Sequence, residues 1–194
     1  MNKKTIVLAS TSIYRRELLE RICKDFAVVS PNIDETPILT ETPAECAMRL
    51  SAEKARAGSL LISGDIFIGS DQVAECSNQI LHKPGTKDKA IAQLMFSSGK
   101  LAKFHTGVCV FNQITDSHDC TTVTTEVQFR SLTVEEIKRY VDREDVLGCA
   151  GSAKSEGLGI SLLDSIRGPD PTALIGLPLI TLTRMLRDVG ISLP

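Results

Sequence analysis

Four short stretches of this chain carry residue types and spacings that suit phosphate chemistry. The first, Ser10-Thr11-Ser12-Ile13-Tyr14-Arg15-Arg16, joins an apolar run to a helical pattern. Hydroxyls and exposed amides at a helix start, with arginines close behind, can hold a polyphosphate; paired arginines are also common on solvated faces. The second, Gly69-Ser70-Asp71-Gln72, follows the apolar Ile66–Ile68. A carboxylate at the C-terminal end of a strand faces the usual ligand crevice of an α/β sheet, where it can bind a hard cation or take a proton from water. The same string is good turn chemistry. The third, His82-Lys83-Pro84-Gly85, holds a lysine extended before proline and so can aim its ammonium at a phosphate. The fourth, Gly151-Ser152-Ala153-Lys154-Ser155-Glu156-Gly157-Leu158-Gly159, combines glycines, hydroxyls and a lysine but fits neither the P-loop nor the dinucleotide fingerprint. Asp34-Glu35, before Thr36-Pro37, offers a second carboxylate beside a turn, while Lys54 reads by pattern as a helix-surface lysine. No Gly-x-Ser-x-Gly elbow is present, and His82, His105 and His118 lack ligand spacing, so they read as structural or surface residues.

Bulk properties narrow the partners. The chain has 194 residues, 42% hydrophobic and 24% charged, with a formal net charge of −2. That length suits one domain with its own core. The charge balance argues against a general nucleic-acid binder, which carries a basic excess over one face. Cys23, Cys46, Cys76, Cys109, Cys120 and Cys149 form no C-x-x-C pair and read as reduced, mostly buried thiols in a reducing compartment rather than as a zinc site. The basic start at Met1 leads into an apolar run too short for a signal peptide or a membrane span. The expectation is a soluble cytoplasmic protein that binds neither membrane nor nucleic acid.

The elements that must position these groups follow from periodicity and caps. Thr5–Leu8 reads as a buried strand, followed by a helix with Leu18, Leu19 and Ile22 on one face and Ser12 as N-cap. Thr42-Pro43-Ala44-Glu45 has capping-box spacing with proline at the first helical position, starting a helix that fades near Gly58. Ile66–Ile68 is a short strand and Thr86–Phe96 a helix. Phe104–Phe111 and Thr121–Phe129 read as paired strands, and Thr133-x-x-Glu136 opens a helix to about Val141. Gly148–Ile166 is a glycine-rich turn and a strand, Asp170-Pro171 opens a short helical turn, and a last helix stops at Gly190. Strands and helices alternate around a hairpin, so the fold class is α/β with a mixed sheet and flanking helices.

Taken in order, Leu8-Ala9-Ser10-Thr11-Ser12, Arg15-Arg16-Glu17-Leu18-Leu19, Asp34-Glu35, Lys54-Ala55, Gly69-Ser70-Asp71-Gln72, Lys83-Pro84, Phe104-His105-Thr106-Gly107 and Ala150-Gly151-Ser152 resemble the Maf family of nucleotide pyrophosphatases. Lys154-Ser155-Glu156-Gly157-Leu158-Gly159-Ile160, with Gly176-Leu177-Pro178-Leu179, resembles its branch acting on 7-methyl-GTP. The resemblance covers essentially the whole chain. It implies a single Maf-like domain over residues 1–194, an elongated two-lobed fold with a central cleft, similar to inosine triphosphate pyrophosphatases. It further implies a homodimer, a cytoplasmic location, a nucleoside triphosphate substrate and a divalent cation, Mg²⁺ or Mn²⁺. On the same ground Asp71 is the proton acceptor, Tyr14, Gln72 and Glu156 set substrate choice, and Ser10, Arg15, Lys54 and Lys83 bind phosphate. Glu35 and Asp71 would hold the metal. The branch has proline and tryptophan before the paired arginines, where this chain has Ile13 and Tyr14; tyrosine keeps an aromatic face but a smaller one.

The resemblance leaves other functions to be weighed. A sister branch hydrolyses thymidine or uridine triphosphates, against which Gln72 and Glu156 speak. A non-enzymatic nucleotide-binding regulator of cell division is the reading from another class; an acidic Asp71 among lysines disfavours it, since phosphate binding alone needs no carboxylate there.

Overall fold

The computed structural model describes residues 4–193, so the basic start at Met1–Lys3 lies outside the described residues. Strand β1 (Ile6–Ala9) is followed by α1 (Ile13–Glu20), β2 (Ala27–Val29), α2 (Pro43–Ser59) and β3 (Ile66–Cys76). Then come β4 (Gln79–Ile80), α3 (Lys87–Ser97), β5 (Leu101–Asn112), β6 (Ser117–Phe129), α4 (Val134–Arg143), β7 (Leu163–Arg167) and α5 (Leu179–Asp188). Strand pairing runs β2-β1-β3-β5-β6-β7, with β4 on β3. β1 is parallel to both β2 and β3, whereas β4 and β7 pair antiparallel to their neighbours. The sheet is therefore mixed, as the alternation of helix and hairpin signals implies.

The chain partitions into two compact units, one made of residues 1–71, 106–123 and 170–194, the other of 72–105 and 124–169. In the first, alternation along the strands divides the apolar residues between two faces. Ile6, Leu8, Ile66, Ile68, Val108 and Val110 pack with Leu18 and Leu19 of α1 and Leu182, Met185 and Leu186 of α5. Val7, Phe67, Cys109 and Phe111 face the other way, against Ala55 of α2. Parallel neighbours need crossover connections, and here α1 and α2 carry β1 to β2 and β2 to β3 on opposite faces of the sheet. The crossovers diverge at the carboxyl end of β1, the place where open α/β sheets bind ligands.

Several local expectations hold to the atom. Thr42 and Thr133 both form complete capping boxes with Glu45 and Glu136, and Ser12 accepts from the amide of Arg15; Thr86, not read as a cap from the sequence, does the same for Lys89. Gly190 has φ +81°, and the amide of Ile191 reaches back to Leu186, closing α5 through a left-handed residue.

Other expectations need correction. β3 does not stop at Ile68 but runs on to Cys76, so Asp71 lies mid-strand. It still lies past the end of the parallel ladder, because β1 pairs only as far as Ala9 opposite Gly69. The short edge strands β2 and β4 left too little pattern to be read. Asp170 does not serve only its own turn: its Oδ2 accepts from the amides of Ile180 and Thr181, capping α5 from nine residues upstream of its first residue, Leu179. Cys109 and Cys120 face each other across the β5–β6 hairpin as a disulfide, with Cα atoms 4.1 Å apart. The expectation of six reduced thiols is thus wrong for this pair, and cysteine number carries no weight about compartment. Hairpin pairing brings residues of wide sequence separation face to face, which C-x-x-C spacing does not capture. No helix among the described residues is long and apolar enough to cross a membrane.

Candidate active site

The first unit gathers six of the expected residues near the carboxyl end of β1. Ser10 follows β1 directly; its Oγ accepts from the Ser12 amide at 3.1 Å and from Arg15 Nη1 at 3.5 Å. Arg15, one turn into α1, also donates from Nε to the carbonyl of Gly176 at 2.9 Å. Burial lowers the pKa of its guanidinium, while the nearby carboxylates of Asp71 and Glu35 push the other way. Tyr14 precedes it on the same helix and is half-buried.

Lys54 is the centre of the arrangement. Its Nζ lies 2.5 Å from Asp71 Oδ1 and 2.7 Å from Glu35 Oε1, so two carboxylates distant in sequence converge on one ammonium. Lys54 is 7% exposed, not the helix-surface lysine read from the pattern. A signal was present: Ala47, Leu50, Ser51, Lys54, Ala55 and Gly58 recur at three- and four-residue intervals and are the buried stripe of α2. A lysine on such a stripe has to meet a carboxylate or an anion.

Close packing brings it there. A Cβ on Gly69 would stand 2.0 Å from the Ser51 carbonyl oxygen and 2.6 Å from the Ala55 nitrogen. On Gly107 it would stand 2.1 Å from the Ala47 carbonyl oxygen. The two glycines let the α2 backbone lie directly on β3 and β5, and Asp71, two residues beyond Gly69, shares its face of the strand.

Glu35 is delivered by a pinned loop. Asp34 Oδ1 accepts from the amide and hydroxyl of Thr36 at 2.9 and 2.6 Å, a local turn bond that lowers its pKa. This separates the adjacent acids: Asp34 shapes the turn, and Glu35 reaches Lys54. Arg49, on α2, ties the loop down. Its Nη2 donates to Thr36 O at 3.2 Å and to Glu41 Oε1 at 2.7 Å, and its Nε to Glu41 Oε2 at 2.8 Å. That pairing pulls the Glu41 carboxyl down to about 2. Sequence reading missed both residues, because an i, i+8 ion pair spanning a loop and a helix start has no local signature.

Ser70 was also missed. Its buried hydroxyl lies 2.7 Å from Gly107 O and 2.9 Å from Gly176 O, and Thr106 Oγ1 donates to Ala173 O at 2.8 Å. These bonds, with that of Arg15, moor the 173–176 turn beside the middle of β3.

The remaining expected residues, Gln72, Lys83 and Glu156, belong to the second unit. Gln72 continues β3. Lys83 is exposed between anchored neighbours: His82 O accepts from Gln93 at 2.8 Å, Pro84 is buried, and the Gly85 amide donates to Leu147 O at 3.1 Å. Glu156 is exposed on the turn following Lys154. His105 is internal, bonded to Thr124 Oγ1 at 2.9 Å and Glu75 Oε1 at 3.0 Å, which suits a structural residue. Burial pushes the Cys46 thiol up to about 12 and raises that of Cys149, so neither is an activated nucleophile.

A mixed sheet with helices on both faces and acidic and basic side chains converging near the end of β1 defines an α/β protein with a charged cluster at the usual ligand end of its sheet. The Staphylococcus aureus Ham1 protein shares the fold, at a TM-score of 0.53 and 14% identity over 96% of this chain and 100% of that one. The profile of the family described as Maf-like protein matches residues 5–189, and the chain belongs to that family. A protein of Aromatoleum aromaticum named 7-methyl-GTP pyrophosphatase is 53% identical over 194 residues, all of both chains. Proteins of the same name from Xanthomonas oryzae pv. oryzae and Burkholderia orbicola are each 51% identical, over 189 and 185 residues. These alignments cover 97% and 94% of this chain and 98% and 88% of the relatives.

Proposed function

We propose that this protein is a nucleoside triphosphate pyrophosphatase that hydrolyses the α–β phosphoanhydride of 7-methyl-GTP, releasing 7-methyl-GMP and diphosphate. The observation that carries the reading is the convergence of Glu35 and Asp71 on Lys54, with Arg15 close enough to respond to both acids. Full-length relatives at about half identity that bear that name support it.

In this reading Asp71 takes the proton of a water as its oxygen attacks the α-phosphorus. The bond from that phosphorus to the bridging oxygen breaks, and diphosphate departs. Lys54, Arg15 and Lys83 offset the charge that grows on it, and Ser10 orients the chain of phosphates. Among the described residues no group of three or more His, Cys, Asp and Glu gathers. Two carboxylates that converge on one ammonium nevertheless suit Mg²⁺ or Mn²⁺ beside it, since such ions use one or two carboxylates and complete their shell with water and phosphate oxygens. Glu35 and Asp71 would hold it, and when bound it supplies further charge neutralisation at the phosphates.

Substrate choice rests on charge. N7-methylation makes guanine cationic, and a cation over an aromatic face gains roughly 0.5–2 kcal/mol, for which Tyr14 provides the ring. Glu156, an acceptor-only group, takes hydrogen bonds from guanine N1–H and its amino group, with Gln72 as the third residue setting preference. The same reading takes the protein as a cytoplasmic homodimer.

Diphosphate release from a panel of 7-methyl-GTP, GTP, dTTP and UTP, with Mg²⁺ or Mn²⁺ present, tests it. The expected ranking puts kcat/KM for 7-methyl-GTP at least about tenfold above the pyrimidine nucleotides, a difference of about 1.4 kcal/mol. A ranking led by dTTP or UTP transfers the protein to the sister activity. No release from any triphosphate leaves a nucleotide-binding protein.

A further inference from the structure

The string Lys154-Ser155-Glu156-Gly157-Leu158-Gly159 is weak as a motif, yet the second unit gives each part of it a reason. The segment folds back on the end of α4. The Tyr140 hydroxyl accepts from the Lys154 amide at 3.0 Å. Glu144, immediately after α4, accepts from Lys154 Nζ at 3.0 Å and from the Leu158 amide at 2.8 Å. The Gly157 amide returns to Lys154 O at 3.1 Å, closing the turn that bears Glu156. One carboxylate thus holds the turn on both sides of Glu156.

The glycines follow from that clamp. A Cβ on Gly157 would stand 2.4 Å from Glu144 Oε2, and one on Gly159 would stand 2.6 Å from both the nitrogen and the carbonyl oxygen of Lys154. Glu144 and Lys154 are mostly buried, at 15% and 19% side-chain exposure, so water competes little for these bonds. The bonds from Leu158 and Lys154 hold the Glu144 carboxyl below its ordinary range, so it is an anion at neutral pH.

We propose that Glu144 and Tyr140 are positioning residues for substrate choice, which fix the turn of residues 154–158 and thereby the direction in which Glu156 meets a guanine edge. The inference rests on the reading that Glu156 recognises 7-methylguanine. Glu144 contacts no reacting atom in it and acts only through the turn. Two segments separated in sequence are therefore one device: the end of α4 and the turn that bears Glu156, joined by the Glu144–Lys154 ion pair.

The test pairs kinetics with amide hydrogen exchange on Glu144→Ala, Glu144→Gln and Tyr140→Phe. Glu144→Ala is expected to lower kcat/KM for 7-methyl-GTP about tenfold, mainly through KM, while that for UTP stays within about twofold. Exchange of the amides of residues 157–159 rises with it. Glu144→Gln, whose side-chain oxygen can still accept from Leu158, recovers part of the loss. Tyr140→Phe keeps the ring and shifts the ratio in the same direction even if Glu144→Ala fails to fold. An equal fall for both nucleotides, or an unchanged ratio, overturns the proposal. Unchanged exchange overturns the clamp whatever the kinetics. A wild-type enzyme with no preference for 7-methyl-GTP over UTP overturns the proposed function and this role with it, and the exchange data distinguish that failure from failure of the clamp.

Discussion

Asp71→Asn is expected to lower kcat for 7-methyl-GTP by about 10²–10⁴-fold, the range a positioned general base contributes. Asparagine keeps the size of the side chain and can still accept from Lys54, but it cannot take the proton of the attacking water. The substitution leaves one carboxylate, Glu35, to neutralise an ammonium that is 9% exposed at the side chain. A stability loss of about 1–3 kcal/mol follows from weakening that bond, and the protein stays folded. Steady-state kinetics beside a thermal melt separate the two effects. Wild-type turnover in a folded Asp71→Asn protein would remove Asp71 from the chemistry.

Gly69→Ala has the largest expected effect on stability. The new methyl group would meet main-chain atoms of Ser51 and Ala55, which cannot swing aside as a flexible side chain would. Overpacking of a core costs typically 1–3 kcal/mol, and a helix backbone pressed off its sheet puts the cost at about 3 kcal/mol or more. For a chain of this size that lowers Tm by about 6 °C or more. Activity falls as well, because α2 carries Lys54 and Arg49, and through them Glu35, away from Asp71. Gly148→Ala is the matching control, since nothing lies within 4 Å of a Cβ there. Differential scanning calorimetry on the pair decides it: equal melting temperatures would show that α2 does not sit on Gly69.

What could be read in the sequence was what is local. Ser12, Thr42 and Thr133 announce helix starts because each bonds an amide three residues on, and Gly190 announces a stop because a left-handed residue is needed there. The groups that hold Glu35 in place were invisible for the opposite reason. Arg49, Glu41 and Thr36 meet only after a loop folds onto α2. Asp170 holds its own turn, as the N-cap rule says, but also caps a helix that begins nine residues later, which no local rule could show. The Cys109–Cys120 disulfide depends on hairpin register, which a cysteine count ignores. Lys54 lies between these cases: by pattern it reads as a helix-surface lysine, although its spacing from Ala47, Leu50, Ser51 and Gly58 puts it on the buried stripe of α2. The spacing was the better guide, because a helix buries a face whatever residue occupies it.

The proposed chemistry is tested most directly by a single turnover of 7-methyl-GTP in ¹⁸O-enriched water, with both products weighed by mass spectrometry. Attack at the α-phosphorus by a water that Asp71 deprotonates places one ¹⁸O atom in 7-methyl-GMP and none in diphosphate. Label in the diphosphate instead would mean that water attacks the β-phosphorus, and the roles given to Asp71, Glu35 and Lys54 would be wrong.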